Sequence, residues 1–386
     1  MIAPVEPLLL LFKVALTSAV VSVLLVLKAK LGVRIGMDPA QGVQKLHRFP
    51  VPRTGGVAAF AAILLGGWLY DFPRELMLVF LAALPAWLWG LSEDLTGQRS
   101  ALSRLLATMA SGLLLVFVAG LGISRLDLPS DAFVHPVLWL LFTSFAISGL
   151  SNAVNIIDGV NGLASFTAAS MFACLALLAD RCGDPASLQL ALLGLGSSFG
   201  FFLVNWPRGQ LFLGDGGAYL LGFWLGATVI SLVQRNGELT AWFALALFAY
   251  PVSETLFSWY RRRVHHKVSP TAPDRLHLHS LVYMRRARWG RLRLLGFLNP
   301  NSATLVRMLP IVLAPPIGAY FAAESMAMSL GVVVLTVALY LRWFKRLVRF
   351  DGGQKAEGPK PVPQSSWASG PEKFTEAVSG DPVSRP

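Results

Sequence analysis

Residues 8–27 read Leu8-Leu9-Leu10-Leu11-Phe12-Lys13-Val14-Ala15-Leu16-Thr17-Ser18-Ala19-Val20-Val21-Ser22-Val23-Leu24-Leu25-Val26-Leu27. One lysine interrupts an otherwise apolar or small-residue run long enough, as a helix, to cross a hydrocarbon layer of about 30 Å. No early basic stretch and no small-residue cleavage site accompany it, so it reads as a retained helix and not as a signal peptide. A soluble domain has little use for such a segment, and the rest of the chain repeats the pattern.

Working outward, apolar runs separated by polar breaks predict ten further spans, near 56–70, 76–91, 103–120, 135–151, 162–179, 187–205, 214–233, 239–259, 303–323 and 328–344. Pro85, Pro136 and Pro251 fall within these runs, as transmembrane helices tolerate. The chain of 386 residues is 54% hydrophobic and 14% charged, and its mean hydropathy is +0.58. These values predict an all-α polytopic membrane protein of about eleven helices. One membrane domain over 1–350 is expected, followed by a Pro-, Gly- and Ser-rich disordered tail over 351–386. The two cysteines, Cys174 and Cys182, form no disulfide framework or zinc pattern.

The formal net charge of +12 raises the question of nucleic acid. Its placement answers it. Most Lys and Arg residues fall in the segments after odd-numbered spans, whereas the opposite side has only Arg74, Arg125, Arg181 and Arg235. The positive-inside rule then places the amino terminus outside and the carboxyl terminus in the cytoplasm. The basic excess reflects topology and anionic headgroups, with no nucleic-acid partner.

Polar residues able to carry chemistry gather on that same predicted cytoplasmic face. They are Arg53 before Thr54-Gly55-Gly56, Glu93-Asp94, the run Asn152-Ala153-Val154-Asn155-Ile156-Ile157-Asp158-Gly159-Val160-Asn161-Gly162-Leu163, Gly214-Asp215-Gly216-Gly217, and Arg275-Leu276-His277-Leu278-His279. Singly, each has a structural reading. Glu93 and Asp94 suit an interface, Asn155 and Asp158 could cap span 6, and Asp215 could cap span 8. His277 and His279 do not share a helical face, and Arg261-Arg262-Arg263 suits a topology anchor. Jointly they say more, because carboxylates near hydrocarbon are disfavoured, and several at one leaflet suggest a shared oxygen-ligated cation. Magnesium fits, with manganese as a substitute, since it takes one or two carboxylates and completes its shell from water and substrate phosphates. Helix starts at spans 6 and 8 would add N–H groups for anionic oxygen. Such a constellation suits phosphoryl transfer. No G-x-x-x-x-G-K-[ST] motif is present, so an ATP-driven pump is not expected.

The ordered set Asn152-x-x-Asn155-x-x-Asp158-Gly159-x-x-Gly162-Leu163, then Gly214-Asp215-x-Gly217, then His277-x-His279 resembles the polyprenyl-phosphate N-acetylhexosamine-1-phosphate transferases of glycosyltransferase family 4 type. The resemblance covers residues from about 45 to 290. It implies a magnesium-dependent enzyme that moves a sugar 1-phosphate from a UDP-N-acetyl sugar to undecaprenyl phosphate, releasing UMP and starting a cell-surface polysaccharide. It further implies catalytic roles for Glu93, Asp94 and Asp158, and metal binding by Asp215 and Asp158. Asn152, Asn155, Asn161, Arg53, Arg275, His277 and His279 would bind substrate. Three positions depart from the family pattern: Glu93 stands where Asp is usual, Asn161 where a second Asp is usual, and Ser280 where a third His is common. The missing triple-His run points away from the muramoyl-pentapeptide branch. The polyprenyl phosphate, the UDP-sugar and membrane lipid are the expected partners, and a homodimer is left open. Competing readings are an ion-coupled transporter or lipid carrier, against which the carboxylates sit at helix ends and not at midplane, and a non-catalytic relative, which the Asn161 departure keeps in view.

Overall fold

The computed structural model of the protein describes residues 5–33, 35–38, 50–69, 73–128, 135–266, 276–285 and 298–349. Arg275 and the tail 351–386 lie outside the described residues. Helix α1 (Val5–Lys30) leads to a two-stranded antiparallel ribbon, β1 (Met37–Asp38) with β2 (Val51–Pro52), in which Met37 faces Pro52. Then follow α2 (Gly55–Trp68), α3 (Arg74–Thr96), α4 (Ala101–Ala119), α5 (Pro136–Ile157), α6 (Leu163–Arg181), α7 (Pro185–Asn205) and α8 (Gly214–Arg235). The chain continues through α9 (Trp242–Leu247), α10 (Ala249–Tyr260), one π-helical turn (Arg261–His266), α11 (Leu278–Arg285), α12 (Ser302–Ala322) and α13 (Met326–Arg349).

Among the described residues, 9 helices are long and apolar enough to cross a membrane. The protein is thus an all-α polytopic membrane protein, with two of the expected spans taking other forms. The run 56–70 yields α2, whose 14 residues rise only about 21 Å. The run 239–259 is not one helix: it breaks at Phe248 between α9 and α10. Pro251 supplies the reason. It has no N–H for the carbonyl of Leu247, and its ring crowds that carbonyl, so the preceding helix ends and Pro251 falls in the first turn of α10. At Pro85, by contrast, α3 continues, and Ala86 N–H donates to Ser111 Oγ of α4 at 2.9 Å. A neighbouring helix thus satisfies a backbone N–H beside the proline.

Helix α8 forms the centre. Its residues from Gly214 to Leu232 are buried on every face, as expected of a helix apolar all round. Helices α2, α3, α5, α6 and α7 pack around it, and Trp224 Nε1–H donates to the Leu190 carbonyl at 2.9 Å. Helices α1 and α13 lie outermost and expose Leu8, Phe12, Leu16, Val334 and Leu335, faces that suit acyl chains.

Two expected boundaries shift. Helix α5 runs to Ile157, so Asn152 and Asn155 lie on its last turns, and Asp158 is its C-cap residue and not a cap for α6. Glu93 and Asp94 likewise belong to the last turn of α3 and not to a loop.

Candidate active site

The site is assembled where three backbones come unusually close. Phe212 N–H donates to the Pro52 carbonyl at 2.8 Å, Gly55 N–H to the Phe212 carbonyl at 2.9 Å, and Gly56 N–H to the Leu213 carbonyl at 2.8 Å. The segment entering α2 is thereby stitched to the segment entering α8. Helix α3 crosses the start of α8 so tightly that a Cβ on Gly90 would lie 2.6 Å from Gly216 Cα. Gly214 adopts a left-handed φ of +75°, and a Cβ there would lie 2.5 Å from Asp94 Oδ2. Only glycine serves both needs.

This junction brings the acids together. Asp94, at the end of α3, accepts from Asp215 N–H at 2.8 Å through Oδ1 and from Gly216 N–H at 2.9 Å through Oδ2. It therefore caps α8 from a neighbouring helix and satisfies two of that helix's orphan donors. Asp215, in the first turn of α8, accepts from Arg53 Nη2 at 3.0 Å, Asn155 Nδ2 at 3.1 Å and Arg104 Nη1 at 2.7 Å. Arg53 also approaches Asp94 at 3.4 Å and Asp38 at 3.7 Å. The simple capping reading of Asp215 falls here, since α8 has no side-chain cap from Leu213 and the Asp215 carboxylate faces two guanidinium groups.

Asp158 completes the cluster from the end of α5. It accepts from Gly214 N–H and feels the charges of Arg53 and Asp215. Burial pushes its carboxyl up to about 7, Asp215 adds to the rise, and Arg53 with the Gly214 N–H oppose it. Arg53 has the opposite balance. Burial disfavours its charge, but Asp94, Asp215, Asp38 and Asp158 raise its pKa above the ordinary value. Opposite charges so arranged in a low-dielectric setting form strong, directional pairs.

Other expected residues are placed differently. Glu93 Oε2 accepts from Arg99 N–H at 2.6 Å and its Oε1 lies 3.8 Å from Arg104 Nη1. Asn152 bonds back to the Ser148 carbonyl of its own helix at 2.8 Å. Asn161 points away from the acids: its side chain donates to Ser302 Oγ at 3.1 Å and its N–H to Asn301 Oδ1 at 2.6 Å, tying the Asp158–Gly162 turn to α12. His279 Nε2 packs so closely on Gly159 that a side chain there would overlap it. The rings of His277 and His279 stack with centroids 5.5 Å apart.

Three residues went unnoticed in the sequence: Asp38, Arg104 and Glu254. Asp38 sits in β1 and carried no motif. Arg104 lies on α4, and Glu254 is fully buried on α10. Both of the latter are ionisable residues inside apolar runs, a signal that alone marks functional candidates.

Among the described residues, no group of three or more His, Cys, Asp or Glu side chains is arranged to hold a metal unaided. The donors at the junction are nonetheless all oxygen: the carboxylates of Asp158 and Asp215, with the Asn155 amide beside them. That set fits a hard divalent cation that borrows its remaining ligands from water and phosphate.

An apolar groove of about 570 Å³ opens between α5, α8, α9 and α10. Phe145, Leu150, Val229, Ile230, Trp242 and Phe248 are among its lining residues, and at one end it reaches Ala153, two residues before Asn155.

The model of glycosyl transferase family 4 matches residues 76–233. The chain is 30% identical over 256 residues to an undecaprenyl-phosphate alpha-N-acetylglucosaminyl 1-phosphate transferase of Thermotoga maritima, covering 65% of this chain and 75% of that one. It is 28% identical over 375 residues to a decaprenyl-phosphate N-acetylglucosaminephosphotransferase of Mycolicibacterium smegmatis, covering 84% and 86%. Against the undecaprenyl-phosphate alpha-N-acetylglucosaminyl 1-phosphate transferase of Yersinia pestis it is 24% identical over 297 residues, covering 74% and 77%. With the family model spanning the helices that carry Glu93, Asp94, Asn155, Asp158 and Asp215, and 30% identity across 75% of the Thermotoga protein, the chain belongs to glycosyl transferase family 4.

Proposed function

We propose that this protein transfers a sugar 1-phosphate, an N-acetylhexosamine 1-phosphate, from a UDP-sugar to undecaprenyl phosphate, releasing UMP. The observation that carries the reading is one juxtaposition. A charged, backbone-held cluster of Asp215, Asp158, Arg53, Arg104 and Asn155 gathers at the end of α5 and the start of α8. The same two helices line an apolar groove that extends along α5 as far as Ala153, two residues before Asn155. An acceptor with a long hydrocarbon tail and a phosphate head needs both, side by side. The similar proteins are named for polyprenyl phosphate and N-acetylglucosamine 1-phosphate, which supports the same pair of substrates here.

In this reading the isoprenoid lies along α5, α8 and α10, and its phosphate reaches the charged end. A phosphate oxygen attacks the sugar-linked phosphorus of the donor. The bond from that phosphorus to the bridging oxygen breaks, and UMP leaves with the oxygen and the electron pair. Arg53 and Arg104 exchange their contacts with Asp215 for contacts with phosphate oxygens, which holds two anions within reach of each other. Asn155 keeps Asp215 oriented, Asp94 fixes the start of α8, and His277 with His279 meet the donor diphosphate. Asp158, whose carboxyl is pushed up to about 7, stands beside the nucleophile to take up its proton. Magnesium, held by Asp215 and Asp158, would neutralise charge that develops on the phosphates. In this reading the site faces the cytoplasm from a bacterial inner membrane, on the side where UDP-sugars are made, and the basic segments support that orientation through the positive-inside rule.

The test uses full-length protein in nanodiscs with undecaprenyl phosphate and UDP-N-acetylglucosamine. UMP release that appears with magnesium, stops with chelator and requires the lipid supports the reading. No release under any of these conditions, with a panel of UDP-N-acetyl sugars also inactive, overturns it.

A further inference from the structure

Outside the charged cluster, one acid lies in the middle of α10 with 0% exposure: Glu254. A carboxylate so buried in an apolar helix is strongly disfavoured unless partners hold it. Its partners are specific. Glu254 Oε1 lies 2.9 Å from His277 Nδ1, and Leu278 N–H approaches Oε1 at 3.3 Å and Oε2 at 3.1 Å. The same acid therefore grips the side chain just before α11 and the first backbone N–H of α11. Beyond it the contacts continue in a line. The His277 ring is parallel to that of His279, with 5° between their planes. His279 in turn packs on Gly159, next to Asp158.

We propose that Glu254 is a positioning residue for the transfer: it fixes the ring of His277 through Nδ1, so that Nε2 meets the donor diphosphate, and it sets α11 against the Asp158–Gly159 turn. This rests on the transferase reading above. A carboxylate on one imidazole nitrogen selects the tautomer and ring orientation presented by the other. Helix α10 makes the arrangement more than local. Val252, Thr255 and Leu256 line the apolar groove, while Glu254 holds the histidine segment. One helix thus carries part of the acceptor wall and the anchor of the donor side, so the break at Phe248 that aims α10 serves both substrates.

The experiment is a double-mutant cycle on the full-length protein in nanodiscs, read as UMP release. E254Q lowers kcat/KM for UDP-N-acetylglucosamine by about 10- to 100-fold, leaves KM for undecaprenyl phosphate unchanged, and is partly rescued by E254D. In an H277A background the further loss from E254Q shrinks below about threefold, because coupled residues do not act additively. Equal losses in both backgrounds, or full activity of E254Q, overturn the proposal. A second readout does not depend on turnover. In protein labelled with ¹⁵N-histidine, E254Q shifts the one imidazole resonance that H277A removes, and an unchanged resonance overturns the proposal. A wild-type protein that releases no UMP would sink the transferase reading alone, while the resonance still decides the contact.

Discussion

The start of α8 and the start of α11 both carry residues toward the same cluster, but they are held in different ways. Around α8 the positioning is done by backbone. Glycines let α2, α3 and α8 touch, main-chain hydrogen bonds join Pro52 and Gly55 to Phe212 and Gly56 to Leu213, and Asp94 caps the helix from across the crossing. Around α11 the described anchoring runs through side chains, with Glu254 at its root and two stacked imidazoles beyond. The first arrangement cannot shift without moving three helices. The second is anchored by one acid alongside the packing of α11 on α12, and one substitution can retune that anchor. A backbone-held acidic floor beneath a separately anchored histidine wall suits the transferase reading, in which two anions must be held side by side.

The strongest way to break the first region is at its charge. Asp215→Asn should lower turnover by about 10³-fold, the scale of removing one preorganised electrostatic contact, with UMP release as the readout. A smaller effect of threefold or less would disprove the central role given to this carboxylate. Arg104→Ala should follow at about 100-fold, and Arg104→Lys should recover only part of this, since a lysine cannot reproduce the planar fork. Steady-state kinetics on both substrates would check it. Packing gives a third test. Gly90→Ala forces a Cβ to 2.6 Å from Gly216 Cα, and overpacking of this kind destabilises by about 1–3 kcal/mol. A thermal melt in detergent should show the loss, and an unchanged melting temperature would mean that the crossing is looser than described.

The groove offers a milder perturbation. Ala146 lines it, and Ala146→Phe should raise KM for undecaprenyl phosphate about tenfold, the scale of a methylene-sized misfit or more in an apolar pocket, while KM for the UDP-sugar stays constant. Equal changes in both constants would remove the groove from the acceptor site. The smallest effect is expected at Asn161→Asp, which places the family's usual residue at this position. Because Asn161 is tied to Ser302 and Asn301 and not to the acids, turnover should stay within about threefold. Stability should fall by about 1–3 kcal/mol, the penalty for a buried polar group that loses a partner.

Much of the site could be read along the chain because its motifs pair acids and amides with glycines, and glycine marks places where backbones must approach. Asp94, Asp158 and Asp215 could be grouped by their shared face before any coordinates. What each carboxylate does could not. Asp94 carries the look of a chemical group, and only the fold shows that its two oxygens also accept from N–H groups of α8. Asn161 sat inside the most specific motif, yet it braces a turn. Arg104 and Glu254 were hidden by their apolar neighbours, since hydropathy averages a single charge away. The break in 239–259 was hidden by the same averaging, although Pro251 was its visible cause.

The sequence by itself determined the solvent and the class of fold. Long apolar runs leave no alternative to helices that satisfy their own backbone in a membrane, and the ordered acidic, amide and histidine motifs are carried in the order of residues alone. Only the tertiary structure decided which oxygen meets which nitrogen. Partners such as Arg104 with Asp215, or Glu254 with His277, lie 111 and 23 residues apart. Their meeting depends on where helices cross and at what distance, and that is fixed by the packing of whole surfaces and not by any local stretch of chain.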